Sequence, residues 1–328
     1  MIRLIIDCDP GNGIAGANVD DGLALALALA APEISLELIT TVAGNTPSEV
    51  GYGVACDFAR RFAPGLKVAR GASRALIEPA APWREHLDRK VDEVGLRHLW
   101  NGVPIPGHTA TEPPMAVHQM SELICNNPGE ITLVAIGPLT NIALAMQCYP
   151  QLAGLVKQIV IMGGAFNVDG YLKDTNFGID PEAAHAVLTS GADIVLVPMD
   201  VTIQTLMTHR DLDLLAAAKS PLGRYLVDTM RPWMDFSMQT RRLPGCWIHD
   251  VLTVAWLLEP GLATAVTDNV AISLSGIGRG KSFRCGPQSL RLAVNVPPPS
   301  SAPVTILQTV DNQGLLALIQ RHISRFSC

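Results

Sequence analysis

Short apolar, β-branched runs alternate with longer helix-forming stretches along most of this chain, and that order most constrains how it can fold. The runs Arg3–Asp7, Leu36–Val42, Ile131–Ile136, Gln158–Met162, Ile194–Pro198 and Val304–Val310 read as strands. Asp21–Ala31, Ser48–Phe62, Met115–Asn126, Leu139–Cys148 and Pro181–Ser190 read as helices, with a last one at Asn312–Ser324. Parallel strands need a crossover between them, so this alternation implies an α/β fold: an open, mostly parallel (mixed) sheet flanked by helices. Leu23–Ala31 is apolar all round, and its helix is expected to be buried on nearly every side. The rhythm breaks twice. The stretch 78–114, rich in Pro, Gly, His and Trp, is expected to form a long loop or lid, and 210–260 a small helical cap. Pro297–Ser301 reads as a stiff connector, and 1–328 as a single domain with these two appendages.

Composition removes several classes of function. Hydrophobic residues make up 48%, enough for a sizeable core. Charged residues make up only 16%, against roughly 25% in ordinary soluble domains. A surface that poor in charge points to a homo-oligomer, a homodimer or homotetramer. Acidic residues outnumber basic ones 30 to 24 with no basic face, so nucleic acid is not an expected partner. The apolar stretch Gly22–Pro32 is too short to span a membrane, and Met1–Ile6 reads as a strand rather than an export signal. Seven scattered cysteines without a Cys-x-x-Cys pair argue against zinc or a disulfide framework and for a cytoplasmic setting.

The chemistry gathers at Asp7-Cys8-Asp9-Pro10-Gly11-Asn12, which ends the first strand, and at Asp20-Asp21, which opens the next helix. Strand alternation puts Asp7 and Asp9 on one side and Cys8 on the other. A single aspartate at a helix start is ordinary capping. Four carboxylates within fifteen residues repel one another, and the usual remedy is a hard cation such as Ca²⁺ or Mg²⁺. Other polar, Gly-bearing turns follow later strands: Val42-Ala43-Gly44-Asn45, Ile136-Gly137-Pro138-Leu139-Thr140-Asn141 and Met162-Gly163-Gly164-Ala165. Open α/β sheets bind ligands beyond the carboxyl ends of their strands, so these turns converge on one edge.

Together with Asn176 before Asp180-Pro181-Glu182-Ala183-Ala184, and with His249-Asp250, these motifs resemble in order the inosine/uridine-preferring nucleoside hydrolases. The resemblance implies a nucleoside hydrolase-like fold and one bound Ca²⁺ per subunit. It implies that Asp9, Asp21, Asp250 and the carbonyl of Ile136 hold the metal, Asp9 also taking the proton of the attacking water. It implies that Asp20, Asn45, Asp174 and Asn176 grip ribose hydroxyls while Met162 lines the same pocket, and that His249 protonates the departing base. Asp174 stands where the family commonly has Glu. Asn12–Val19 intervene where the family commonly has one residue, so a Gly-bearing loop (Gly13, Gly16) is expected to bulge outward and return the aspartates to the metal. Failing that, Asn12 or Asn18 takes over a contact.

Cleaving an N-glycosidic bond builds positive charge on the ribose, which suits carboxylates, a cation and a general base. The expected activity is metal-dependent hydrolysis of ribonucleosides to ribose and free base, with a ribonucleoside as the small-molecule partner. Trp247, two residues from His249, is the aromatic expected to stack on the base, and His98 in the lid is a lesser candidate to reach it. Arg241–Arg242 reads as a solvated pair. Two rivals remain at this point. A strand ending Asp7-x-Asp9 also resembles haloacid-dehalogenase-like phosphatases, and a protein that binds nucleosides without turning them over would keep the same residues.

Overall fold

The computed structural model describes residues 1–106, 113–286 and 302–326; the Pro297–Ser301 connector lies outside them. Its strands are β1 (Ile2–Cys8), β2 (Ile34–Thr41), β3 (Lys67–Arg70), β4 (Ile131–Ala135), β5 (Gln158–Met162), β6 (Ile194–Val197), β7 (Leu206–Met207), β8 (Cys246–Trp247), β9 (Ala263–Asp268), β10 (Val270–Ile272), β11 (Ser282–Arg284) and β12 (Val304–Val310). Eight of them form one sheet in the order β3-β2-β1-β4-β5-β6-β12-β9. Neighbours from β3 to β12 run parallel, and β9 closes the far edge antiparallel to β12. The mostly parallel α/β sheet expected from the sequence is therefore present. β7–β8 and β10–β11 are small separate ribbons.

The apolar runs are continuous because both sheet faces are covered. Along β1, Leu4, Ile6 and Cys8 join the apolar cluster that contains the helix Asp20–Ala30, while Ile5 joins the opposite cluster with the helices Ala116–Asn126 and Thr140–Cys148. Asp20 through Ala28 are all buried, as the uniformly apolar pattern requires. The 210–260 stretch contains the helices His209–Ala217, Pro221–Arg241 and Val251–Leu258, and Leu212, Leu226 and Leu252 pack into the same cluster as Leu23. No helix among the described residues is long and apolar enough to cross a membrane.

The 78–114 stretch differs from the long loop expected: it carries a 13-residue helix, Ala81–Glu93, and a 3₁₀ turn, Arg97–Trp100. Val91 is the one buried residue of that helix, so its sequence holds no apolar stripe to announce it.

The sheet order sets where a ligand can sit. The chain moves from β1 outward through β2 to β3, then returns to β4 on the other side of β1 and continues through β5 to β6. The resulting crevice lies beyond the carboxyl ends of β1 and β4, where the connections diverge.

Candidate active site

Four buried aspartates meet in that crevice. Asp9 follows β1, Asp20 and Asp21 open the helix Asp20–Ala30, and Asp250 precedes the helix Val251–Leu258. None is more than 3% exposed. One oxygen each from Asp20, Asp21 and Asp250 lies within 4.8 Å of the other two. Asp9 is tied to this trio through Asp21, whose Oδ1 accepts the Asp9 N–H at 2.9 Å. The Asn45 N–H donates to Asp9 Oδ2 at 2.7 Å, and its side-chain amide spans Asp9 Oδ1 (3.1 Å) and Asp21 Oδ2 (3.3 Å). A Cβ on Gly44 would fall 1.7 Å from Asp9 Oδ2, so the turn before Asn45 must be glycine. Behind this turn, Arg84 donates to the carbonyls of Gly44 and Asn45 from the helix Ala81–Glu93.

Burial drives the electrostatics. It pushes Asp9 up to about 6, raises Asp20, and holds Asp21 and Asp250 well above the usual carboxylate range. Neighbouring carboxylates add to the rise at Asp21 and Asp250, while the Asn45 N–H opposes it at Asp9. The Asp250 N–H donates to Asp20 Oδ2 at 3.2 Å, but Asp20 Oδ1 is buried without a partner. An oxygen-only donor set with an orphaned acceptor fits a hard divalent cation. Ile136, just past β4, lines the pocket above, and its carbonyl accepts the Asn176 amide at 3.0 Å. Asp7 stays apart from the trio: it accepts from Thr40 Oγ1 (2.5 Å) and Asn141 Nδ2 (2.8 Å), and burial pushes it up to about 7.

The pocket over this acid hollow is walled by Asn45, Met162, Asp174, Asn176, Trp247 and His249, together with Ile136 and Asp250. Asp174 caps the helix Thr175–Ile179: its Oδ1 accepts from the Gly164 N–H at 2.8 Å and its Oδ2 from the Phe177 N–H at 3.1 Å. Burial pushes Asp174 up to about 6. The Asn176 amide donates to the carbonyls of Ile136 (3.0 Å) and Met162 (3.1 Å), which leaves its Oδ1 as the atom able to meet a hydroxyl. His249 Nδ1 lies 2.7 Å from Thr202 Oγ1, and burial, then the nearby Arg241 charge, pushes the imidazole down to about 3.

The structure adds Tyr171 and Leu87 to the wall, sets Gly16–Asn18 of the inserted loop there, and shows that Arg241, exposed as the solvated reading expected, also lines the pocket. Trp247 meets His249 edge to face at 5.8 Å and Tyr171 at 6.4 Å, and Arg241 lies over one side of its ring. His98 is exposed, contacts the Gly95 carbonyl at 3.1 Å, and is not among the pocket-lining residues. The signal for Arg241 was its spacing from Trp233, about two turns earlier on the same helix, which sets both on one face.

The inserted loop is packed inward rather than bulging outward, since no residue of Asn12–Val19 is exposed. Asn12 Nδ2 donates to Thr229 Oγ1 at 3.0 Å, and at Gly16, with φ +82°, an added Cβ would fall 2.8 Å from the Val91 Cβ. The loop thus returns Asp20 and Asp21 to the hollow. Asn18 Oδ1 accepts the Val19 N–H at 2.9 Å, and Asn18 lines the pocket.

Comparison with known proteins gives the same answer as the geometry. Residues 4–317 match the family model described as inosine-uridine preferring nucleoside hydrolase. The chain is 34% identical over 286 residues to the probable uridine nucleosidase 2 of Arabidopsis thaliana, covering 85% of this chain and 84% of the relative. It is 32% identical over 280 residues to the pyrimidine-specific ribonucleoside hydrolase RihA of Escherichia coli (strain SMS-3-5 / SECEC), covering 84% and 85%. A solved plant nucleoside hydrolase, PpNRh1, superposes with a TM-score of 0.83 at 28% identity over 99% of both chains. The purine-preferring ribonucleoside hydrolase of Gardnerella vaginalis gives 0.79 at 27% identity over 98% of both. These matches displace the phosphatase alternative, and they show that the chain belongs to the inosine-uridine preferring nucleoside hydrolase family of glycosidases.

Proposed function

We propose that this chain hydrolyses the N-glycosidic bond of ribonucleosides, releasing ribose and free base, with one Ca²⁺ per subunit held by Asp9, Asp21, Asp250 and the Ile136 carbonyl. The observation that carries this reading is the buried acid hollow with its unpartnered Asp20 oxygen, set at the switch point of the sheet. When bound, a divalent cation would acidify water and orient the ribose diol. Asp9 takes the proton of the attacking water, its carboxylate fixed by the two Asn45 donors. Asp20, Asn45, Asp174 and Asn176 hold the ribose, with Met162 beneath it. As C1′ gains positive charge, the surrounding carboxylates favour it without having to reorganise. His249 is neutral near pH 7. Its Nδ1 contacts Thr202 Oγ1 at 2.7 Å, and in the tautomer that carries the proton on Nε2 that N–H is offered to the departing base as a hydrogen bond. Trp247 supports the base edge of the pocket.

The test is reducing-sugar release from a panel of ribonucleosides, beginning with uridine because the plant and bacterial relatives are named for uridine and pyrimidine nucleosides. Chelation is expected to abolish release and added Ca²⁺ to restore it. 2′-Deoxyuridine is expected to react poorly because it lacks a hydroxyl for the site. Equal turnover of uridine and 2′-deoxyuridine, or turnover indifferent to chelator, would overturn the reading; binding without product would favour the non-catalytic rival. Assembly as a homodimer or homotetramer is supported by exposed apolar side chains such as Ile77 (69%) and Ile277 (97%), and light scattering measures it.

A further inference from the structure

Arg241 ends the helix Pro221–Arg241 and lines the pocket beside Trp247 and His249. Its guanidinium carbon lies 5.3 Å from the ring centre of Trp233 and 5.6 Å from that of Trp247. The two indoles flank this guanidinium, which is otherwise exposed. Among the described residues no carboxylate pairs with it and no acceptor takes any of its N–H donors. The contrast with Arg231 on the same helix is direct, since that guanidinium is spent on Asp213 at 2.7 Å. A fixed fork with unspent donors on a pocket wall is complementary to an acceptor that the ligand brings. The carboxylates and amides of the hollow suit ribose hydroxyls, so the acceptor facing Arg241 belongs to the base.

We propose that Arg241 is a catalytic residue that binds the exocyclic oxygen beside the glycosidic nitrogen of a 2-oxopyrimidine ribonucleoside and stabilises the base as it leaves. The assignment rests on the hydrolase reading above. In the step, the C1′–N1 bond breaks and its electron pair leaves with the base, where the charge spreads from N1 onto O2. The water oxygen bonds to C1′ and its proton passes to Asp9. Arg241 keeps its own protons and donates hydrogen bonds to O2. The base anion then takes a proton from water, and Asp9 returns its own to solvent. A fixed positive charge is worth most at the atom where negative charge develops, and it acts there without proton transfer.

Two substrates separate this role from a structural one. Uridine needs help for its leaving group, whereas 4-nitrophenyl β-D-ribofuranoside releases a stable phenolate unaided. Both are assayed with Ca²⁺ present for the wild-type protein, Arg241→Gln and Arg241→Lys. Arg241→Gln is expected to lower kcat on uridine about 100-fold while leaving the aryl riboside close to the wild-type rate. Arg241→Lys is expected to recover part of the uridine rate, because it restores the charge without the planar fork. Intact cleavage of the aryl riboside shows in the same assay that the variants are folded and their hollow functional. Equal losses on both substrates, or an unchanged rate on uridine, overturn the assignment. A wild-type protein that cleaves neither substrate overturns the hydrolase reading and this assignment with it.

Discussion

Asn45 does more than one residue's share at the acid hollow. Its N–H and side-chain amide reach both Asp9 and Asp21, two carboxylates that would otherwise repel. Hydrogen bonds to charged groups contribute about 1.5–3 kcal/mol each. Asn45→Ala is therefore expected to cut kcat/KM about 10- to 100-fold with little change in secondary structure, read by ribose release and circular dichroism. Asp174 gives a pH signature. Burial holds its folded pKa at about 6, above the unfolded value of 3.8, so the folded state binds the proton more tightly. Its contribution to stability accordingly falls as pH rises from about 4 through about 6. Denaturant titrations across that window should show a shallower slope for Asp174→Asn. The same ionisation makes a better acceptor for a ribose hydroxyl, so KM is expected to fall through that window in the wild-type protein and not in the variant.

At the scale of elements, the inserted loop and the helix Ala81–Glu93 act as one brace. Arg84 on the helix secures the Gly44–Asn45 turn, while Val91 on the same helix seats Gly16 of the loop. A Cβ at Gly16 would lie 2.8 Å from the Val91 Cβ, in a backbone region that L residues rarely adopt. Gly16→Ala should cost about 1–3 kcal/mol of stability, and raise KM because Gly16–Asn18 wall the pocket; urea unfolding and steady-state kinetics measure the two effects. This brace marks where the sequence stopped being legible. The central strands announced themselves because burial on both faces demands unbroken apolar runs, as Leu4–Ile6 and Leu133–Ala135 show. The edge strands did not: β3 is Lys-Val-Ala-Arg, and most of β9 is exposed. The helix Ala81–Glu93 buries Val91 alone and leaves no periodicity to read. The acidic residues were legible because crowded carboxylates need a physical explanation. The role of Arg84 was not, because it acts through main-chain carbonyls that carry no sequence signature.

Across the whole molecule, the sheet order brings residues 20, 21 and 250 to one point, with Asp9 hydrogen-bonded to Asp21 beside them, although more than two-thirds of the chain separates the first from the last. Concentrating buried like charges there loads the fold with repulsion that a bound cation relieves. Calcium at about 100 times its Kd is expected to stabilise the protein by about 2.7 kcal/mol, seen as a rise in Tm that chelator reverses. Asp250→Ala should lose that rise. The most direct measurement is calorimetric titration of Ca²⁺ into chelator-treated protein, alongside Asp21→Ala and Asp250→Ala. One saturable site per chain, abolished in both variants and matched by the loss of ribose release, is the predicted result. Wild-type protein that takes up no calcium yet still cleaves uridine would contradict the account.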